Sequence, residues 1–214
     1  MSKFEKIYRT RIENNLELLS IGNQHGIFGD DPIKSTNTFI SKLRENTTDE
    51  KIKSLFLKCA CHLPHNKLAK ARKVYQQYKS LEKTIKQLEN DYKIDIKEYK
   101  NLSDEQVEEI IKRGWGLAGT LQNNYIIATK IPSMFHEYFN EDNPQRRKYY
   151  YCHCPRVKEA FLKNEVIDPI YCNCGGGFYV DVWEFITGKT VNIKIMKSLF
   201  NGDDVCSFKI EIND

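Results

Sequence analysis

The chain changes texture near Asn123, and that change constrains its fold more than any other feature. Before it, apolar residues recur at helical intervals: Phe4, Ile7, Tyr8, Ile12, Leu16 and Leu19 of "KFEKIYRTRIENNLELLSI" leave the charges on the other side. After it, "NNYIIATKI", "RRKYYYCHC", "TVNIKIMKSLF" and "VCSFKIEI" are β-branched or aromatic, punctuated by "EDNPQ" and "FNGDD" turns. Two periods in 214 residues restrict the fold class to α+β, with a helical N-terminal half, 1–122, packed on a C-terminal half, 123–214, of antiparallel sheet with helices. No repeat or low-complexity linker separates the halves, so they are expected to pack as one unit.

Local signals refine this. Helices are expected from Thr38 to Arg44 and from Glu50 to Cys61, the second with Ile52, Leu55 and Phe56 on one face and Thr48 or Asp49 as its cap. Pro64 interrupts it, and another helix runs from Lys67 to Lys79. "SLEKTIKQLEN" is a short helix, whereas "DYKIDIKEYKNL" alternates like a strand or an extended connector. Ser103 and Gln106 have the form of a capping box, for a helix ending at Gly114. "PRVKEAFLKNE" and "FYVDVWEFITG" read as helices, the latter stopped by Gly188.

Seven cysteines carry the chemistry, and the spelling C-x-C occurs three times: Cys59 and Cys61, Cys152 and Cys154, Cys172 and Cys174, with Cys206 alone. The start "MSKFEKIYRTRIENN" is charged throughout and no apolar run approaches a membrane span, so a cytoplasmic protein with no membrane partner is expected. Thiols kept reduced there serve metal ligation or reactivity rather than a disulfide framework, and the odd count agrees. The net charge of +4 is mild. The lysines of "NKLAKARKVYQQYKSLEKTIKQ" fit a solvated helix face, and no nucleic-acid partner is expected.

Tetrahedral zinc sets its sulfurs about 3.8 Å apart at Zn–S distances of about 2.3 Å. Residues i and i+2 of a strand lie about 6.5 to 7 Å apart at Cα, so a C-x-C pair shares one ion only if its rotamers converge. A simpler site takes cysteines from several segments and closes the rear half: Cys206 with one or both members of Cys152/Cys154 and of Cys172/Cys174. Gly175 to Gly177 would let the backbone turn closely beside the ion. Competing readings are plain packing of small apolar thiols, a redox dithiol, or one nucleophile. Cys174 is the candidate nucleophile, because it precedes the glycines and a helix whose amides and dipole favour a thiolate. His153 and His136 are the nearest bases in sequence. The front "CACHLPH" offers Cys59, Cys61, His62 and His65 as a lesser ligand set, against a plainer reading of a core Cys59 and surface histidines. Aromatic residues in "YYYCHC" and "GGGFYVDVW" either line an apolar cavity or fill the core.

One further pattern spans the last sixty residues: Cys172, sixteen residues before Gly188 of a helix-ending "GK", then a strand, then Gly202, Asp203, Asp204, Val205, Cys206, Ser207 and Phe208 spelling a G-D-x-x-C-x-F turn. This resembles the 4-vinyl reductase-type domain, and the front half, with "CACHLPHNKL", looks like a bacterial family related to it and to L-2-amino-thiazoline-4-carboxylate hydrolase-like proteins. The resemblance implies a 4-vinyl reductase-like α+β fold, a pocket for a small organic ligand, and zinc held by cysteines beside it, with Cys172 and Cys206 at ligand positions. The remaining cysteine of that pattern falls on Ser198 and its acidic ligand near Tyr151; Cys174 and Cys152 or Cys154 are available as substitutes. The implied function is a zinc-binding, small-molecule-binding protein, with a hydrolase using Cys174 as the alternative and a homodimer as the candidate assembly.

Overall fold

A computed structural model describes residues 31–213. The helix expected over Phe4 to Leu19 lies outside the described residues. Asp31 opens α1 (Pro32–Asn46), its carboxylate accepting from the amides of Ile33 and Lys34. Thr48 caps α2 (Asp49–Lys58), which stops short of the expected Cys61. Residues 59–64 are irregular, and one 3₁₀ turn (His65–Leu68) leads into α3 (Ala69–Tyr78).

Helix α4 (Leu81–Lys100) runs unbroken through the stretch read as a strand or connector. Ile85, Leu88 and Ile96 are buried at helical intervals and continue one stripe, while Ile94, whose alternation with Ile96 suggested a strand, is 61% exposed. Helix α5 (Asp104–Lys112) carries both bonds of the Ser103–Gln106 capping box, and Gly114 follows at φ +63°.

The sheet consists of β1 (Thr120–Gln122), β2 (Tyr125–Thr129), β3 (Val191–Lys197) and β4 (Ser207–Ile212) in the order β1-β2-β4-β3, every pairing antiparallel. It begins three residues before the Asn123 boundary. Ile126 and Ile210 face one another across β2 and β4, as do Ala128 and Phe208, and all four are buried. Helices α6 (Phe135–Asn140), α7 (Pro144–Tyr151), α8 (Ala160–Lys163) and α9 (Asn173–Thr187) complete the described chain.

Helix α7 corrects the strand expected in "RRKYYYCHC". Asn143 accepts a hydrogen bond from the Arg146 amide at 3.0 Å, and Pro144 occupies the first turn, so the "EDNPQ" segment is a helix start rather than a hairpin turn. The helix expected in "PRVKEAFLKNE" shrinks to the single turn of α8, ended by Asn164 at φ +53°.

Helix α9 organises the core. Tyr179, Val182, Trp183 and Ile186 pack with the buried residues of β2 and β4. Its glycines lie inside the helix, not in a turn beside an ion as expected. A Cβ on Gly177 would stand 1.8 Å from the Leu57 carbonyl oxygen, so α9 crosses α2 with backbone against backbone. No described helix is long and apolar enough to cross a membrane.

Candidate functional site

Three segments bring five of the seven cysteines into one region, and the chain after α2 borders it, with Cys59 packed on the same core as Cys154 and Cys174 and Cys61 acting on both of those thiols. Cys152 caps the C-terminus of α7, its amide donating to Lys148, and the Cys154 carbonyl accepts from Val157 and Lys158 in the turn that follows. Cys172 ends a 3₁₀ turn (Pro169–Cys172) and is the N-cap of α9, with Cys174 in the helix's first turn. Cys206 precedes β4; its carbonyl accepts from the Lys130 amide at 2.9 Å and its amide donates to Tyr151 Oη at 3.0 Å. All five are half-buried, whereas Cys61 is exposed.

The thiols feel one another's charge. Burial pushes Cys172 up to about 12, with Cys206 adding to the shift and Ser198 opposing it. Cys152 is held well above the usual thiol range by burial and then by Cys154, Cys206 and Cys172. Cys174 is likewise held well above it by burial and Cys154, and Cys154 and Cys206 are raised mainly by burial. Lys130 opposes the shift at Cys172, Cys174 and Cys206, making it the cation that faces the cluster. Its ammonium lies 5.8 and 5.9 Å from the ring centres of Phe178 and Phe208.

This electrostatic picture weighs against a Cys174 thiolate. The first turn of a helix favours a thiolate, but removal from water outweighs that field here and keeps the sulfur protonated. The bases nearest in sequence are engaged elsewhere: His153 Nε2 lies 2.6 Å from the Ile131 carbonyl, and the His136 ring meets Phe135 edge-on.

Among the described residues, no group of three or more His, Cys, Asp or Glu side chains is arranged to hold a metal ion. The helix start explains why gathering falls short of convergence. Successive residues rotate by about 100°, so Cys172 and Cys174 point to different sides. Cys174 packs with Cys59 and Cys154 against the core beneath α1 and α2. Cys152 and Cys206 pack with Tyr151 and Leu199. Cys172 is coupled to Cys206 and faces the buried hydroxyl of Ser198, which lowers its pKa through a side-chain hydrogen bond. The two members of the pair thus have different neighbours.

No family model, characterised protein or solved structure matches this chain. Tyr151 and Tyr179 are core residues, each 1% exposed, so the aromatics of both motifs include core fillers. One surface cleft of about 210 Å³ lies between α7 and α8, lined in part by Lys148, Phe161 and Glu165. Another lies beside α1, lined in part by Asn37 and Val166, and neither includes a cysteine.

No local motif marks Lys130, Tyr151 or Ser198 as site residues. The sequence places Lys130 inside an unremarkable strand end. Only the resemblance pointed to Ser198 and Tyr151, and then as departures from a ligand set.

The raised thiols have a consequence for stability. An unfolded cysteine titrates near pH 8.5, and the folded ones titrate higher, so their contribution is complete below about pH 8.5 and lost as the pH climbs toward the folded values. In reductant and without metal, the thermal midpoint should fall more steeply between about pH 9 and pH 11 for the parent than for Cys172→Ser, followed by circular dichroism. Equal slopes would show that Cys172 is not desolvated as described.

Proposed function

We propose that the protein is a zinc-binding protein whose rear thiol cluster holds the ion. The observation carrying this reading is five half-buried cysteines from three segments, electrostatically coupled and faced by Lys130. An all-sulfur donor set suits zinc, and coordination would offset the desolvation that now keeps the thiols protonated. Cys172 and Cys206 are one coupled pair and Cys152 and Cys154 another, with Cys172 acting on Cys152 and Cys154 on Cys172 and Cys174, so the ligands are drawn from these five. A fully cysteine-ligated ion of this kind is structural, closing the loops around the start of α9. The four positions singled out by the sequence resemblance, Tyr151, Cys172, Ser198 and Cys206, share this neighbourhood, which supports the same assignment.

Elemental analysis of protein prepared without a histidine tag and reconstituted under reductant tests this directly. The parent should hold zinc stoichiometrically, with Cys172→Ser and Cys206→Ser each weakening it by on the order of 10- to 100-fold or more. Sub-stoichiometric zinc in the parent, or zinc content indifferent to both substitutions, would overturn the proposal. Iodoacetamide mapping at neutral pH separates it from a thiol-dependent hydrolase: exposed Cys61 should react first and the cluster slowly. A Cys174 that outpaces Cys61 would instead favour the nucleophile.

A further inference from the structure

Away from the thiol cluster, one carboxylate gathers two imidazoles from another part of the chain. Asp181, on α9, has its Oδ1 2.8 Å from His62 Nδ1 and 3.4 Å from His65 Nε2. Both histidines lie on the connection between α2 and α3, in the spacing H-x-x-H. Their rings are about half exposed, at 47% and 49%, while the Asp181 side chain is 17% exposed. Its second oxygen, Oδ2, is buried and has no hydrogen-bond partner among the described residues. A buried carboxylate oxygen left so is costly, and the usual remedies are a donor, a water or a cation.

The surroundings fix these donors more firmly than their exposure suggests. Leu63 packs into the core shared by the sheet and α9, and Pro64 restrains the backbone between the two histidines. The His65 ring stacks on Phe185 at 4.0 Å and 22°, and the Arg72 guanidinium lies 4.6 Å from the centre of the Phe185 ring. Phe185 is one turn beyond Asp181 on α9, so one helix positions both the carboxylate and the surface on which an imidazole rests.

We propose that His62, His65 and Asp181 form a binding site for a divalent first-row transition metal ion, with zinc as the ion it takes. Donors bound at 2.0 to 2.1 Å around a tetrahedral ion stand about 3.3 Å from one another. Each imidazole nitrogen already lies 2.8 to 3.4 Å from the carboxylate oxygen. The donors do not yet surround a common point, because both rings are drawn to the same oxygen. Entry of the ion exchanges those two contacts for coordination, and on each ring the proton moves to the non-ligating nitrogen. Oδ2 becomes available as a donor in the same step. With three protein ligands and two exposed rings, the remaining position faces water, unlike the closed thiol site. The proposal does not rest on that site.

Cobalt(II) replaces zinc and reports its donors, so metal-free full-length protein titrated with cobalt(II) under reductant distinguishes the two. The expected result is a binding phase without intense sulfur-to-metal charge transfer, abolished in His62→Gln/His65→Gln and weakened on the order of tenfold or more in Asp181→Asn. In proton NMR spectra, two of the five histidine rings should broaden in that phase. Circular dichroism of the double variant checks that the fold is kept. Failure of the thiol reading would remove only a charge-transfer phase and leave this one. A binding phase unchanged in the double variant, or broadening confined to other histidines, would overturn the proposal.

Discussion

Gly177→Ala should destabilise the protein by about 3 kcal/mol or more, a large loss for the addition of one methyl group. The sign is informative, because alanine is favoured over glycine inside a helix by about 1 kcal/mol and would stabilise α9 if packing were indifferent. It is not indifferent. The new Cβ would meet the Leu57 oxygen at 1.8 Å, the Leu57 carbonyl carbon at 2.7 Å and Ala60 Cβ at 2.8 Å. Two of those atoms are backbone and cannot rotate away, so α2 and α9 must separate by roughly 1.5 Å to restore ordinary contact distances. That separation opens the core holding Ile52, Phe56, Ile170 and Tyr171. Gly175→Ala is the control: its Cβ would meet the end of Lys130 and the edge of Phe208, both at 3.2 Å, and the change should stay within about 1 kcal/mol. Urea denaturation of both variants provides the comparison. A Gly177→Ala protein as stable as the parent would mean that the two helices do not cross as described.

Tyr151→Phe should cost about 2 to 4 kcal/mol while leaving every apolar contact in place. The ring is 1% exposed and packs against Tyr138 and Trp115, contacts that phenylalanine keeps. The hydroxyl donates to the Lys130 carbonyl at 2.5 Å and accepts from the Cys206 amide at 3.0 Å. Burial and the neighbouring Cys206 raise its pKa, so it stays a neutral donor throughout the working pH range. Its loss leaves a part-buried carbonyl and a part-buried amide unpaired together, at up to about 1 to 3 kcal/mol for each group. The same bond sets the position of Cys206. Zinc affinity should therefore fall in Tyr151→Phe although no sulfur is removed, measured by competition with a chelator. A stability loss with unchanged affinity would separate Tyr151 from the cluster.

Much of the fold was legible because its signals are local. Thr48, Ser103 with Gln106, and Gly188 marked helix ends through bonds or dihedral angles that neighbouring residues complete. The strands of β2, β3 and β4 announced themselves by β-branched content. What escaped reading depended on partners distant in sequence. The aromatic run before Cys152 has strand-like composition, and only Asn143 and Pro144 ahead of it select a helix. The glycine run suggested a turn beside an ion because its true reason, the carbonyl of Leu57, lies 120 residues away. The site divides similarly. Counting cysteines found the cluster, but Lys130 and Asp181 enter only through the packing of β2 and α9, for which the sequence has no local mark.

Helix α9 has one further mechanical property. Cys174 and Asp181 sit seven residues apart, about two turns or roughly 10.5 Å along the axis, and Gly177 lies between them, pressed on the α2 backbone. Gly177 is where this helix is held closest to α2. A tilt that carries Cys174 toward the other thiols moves Asp181 relative to His62 and His65, so ions at the two ends would sense one another through a rigid rod. Were such coupling present it would be reciprocal by thermodynamic necessity, an ion at either end shifting the affinity of the other by the same factor.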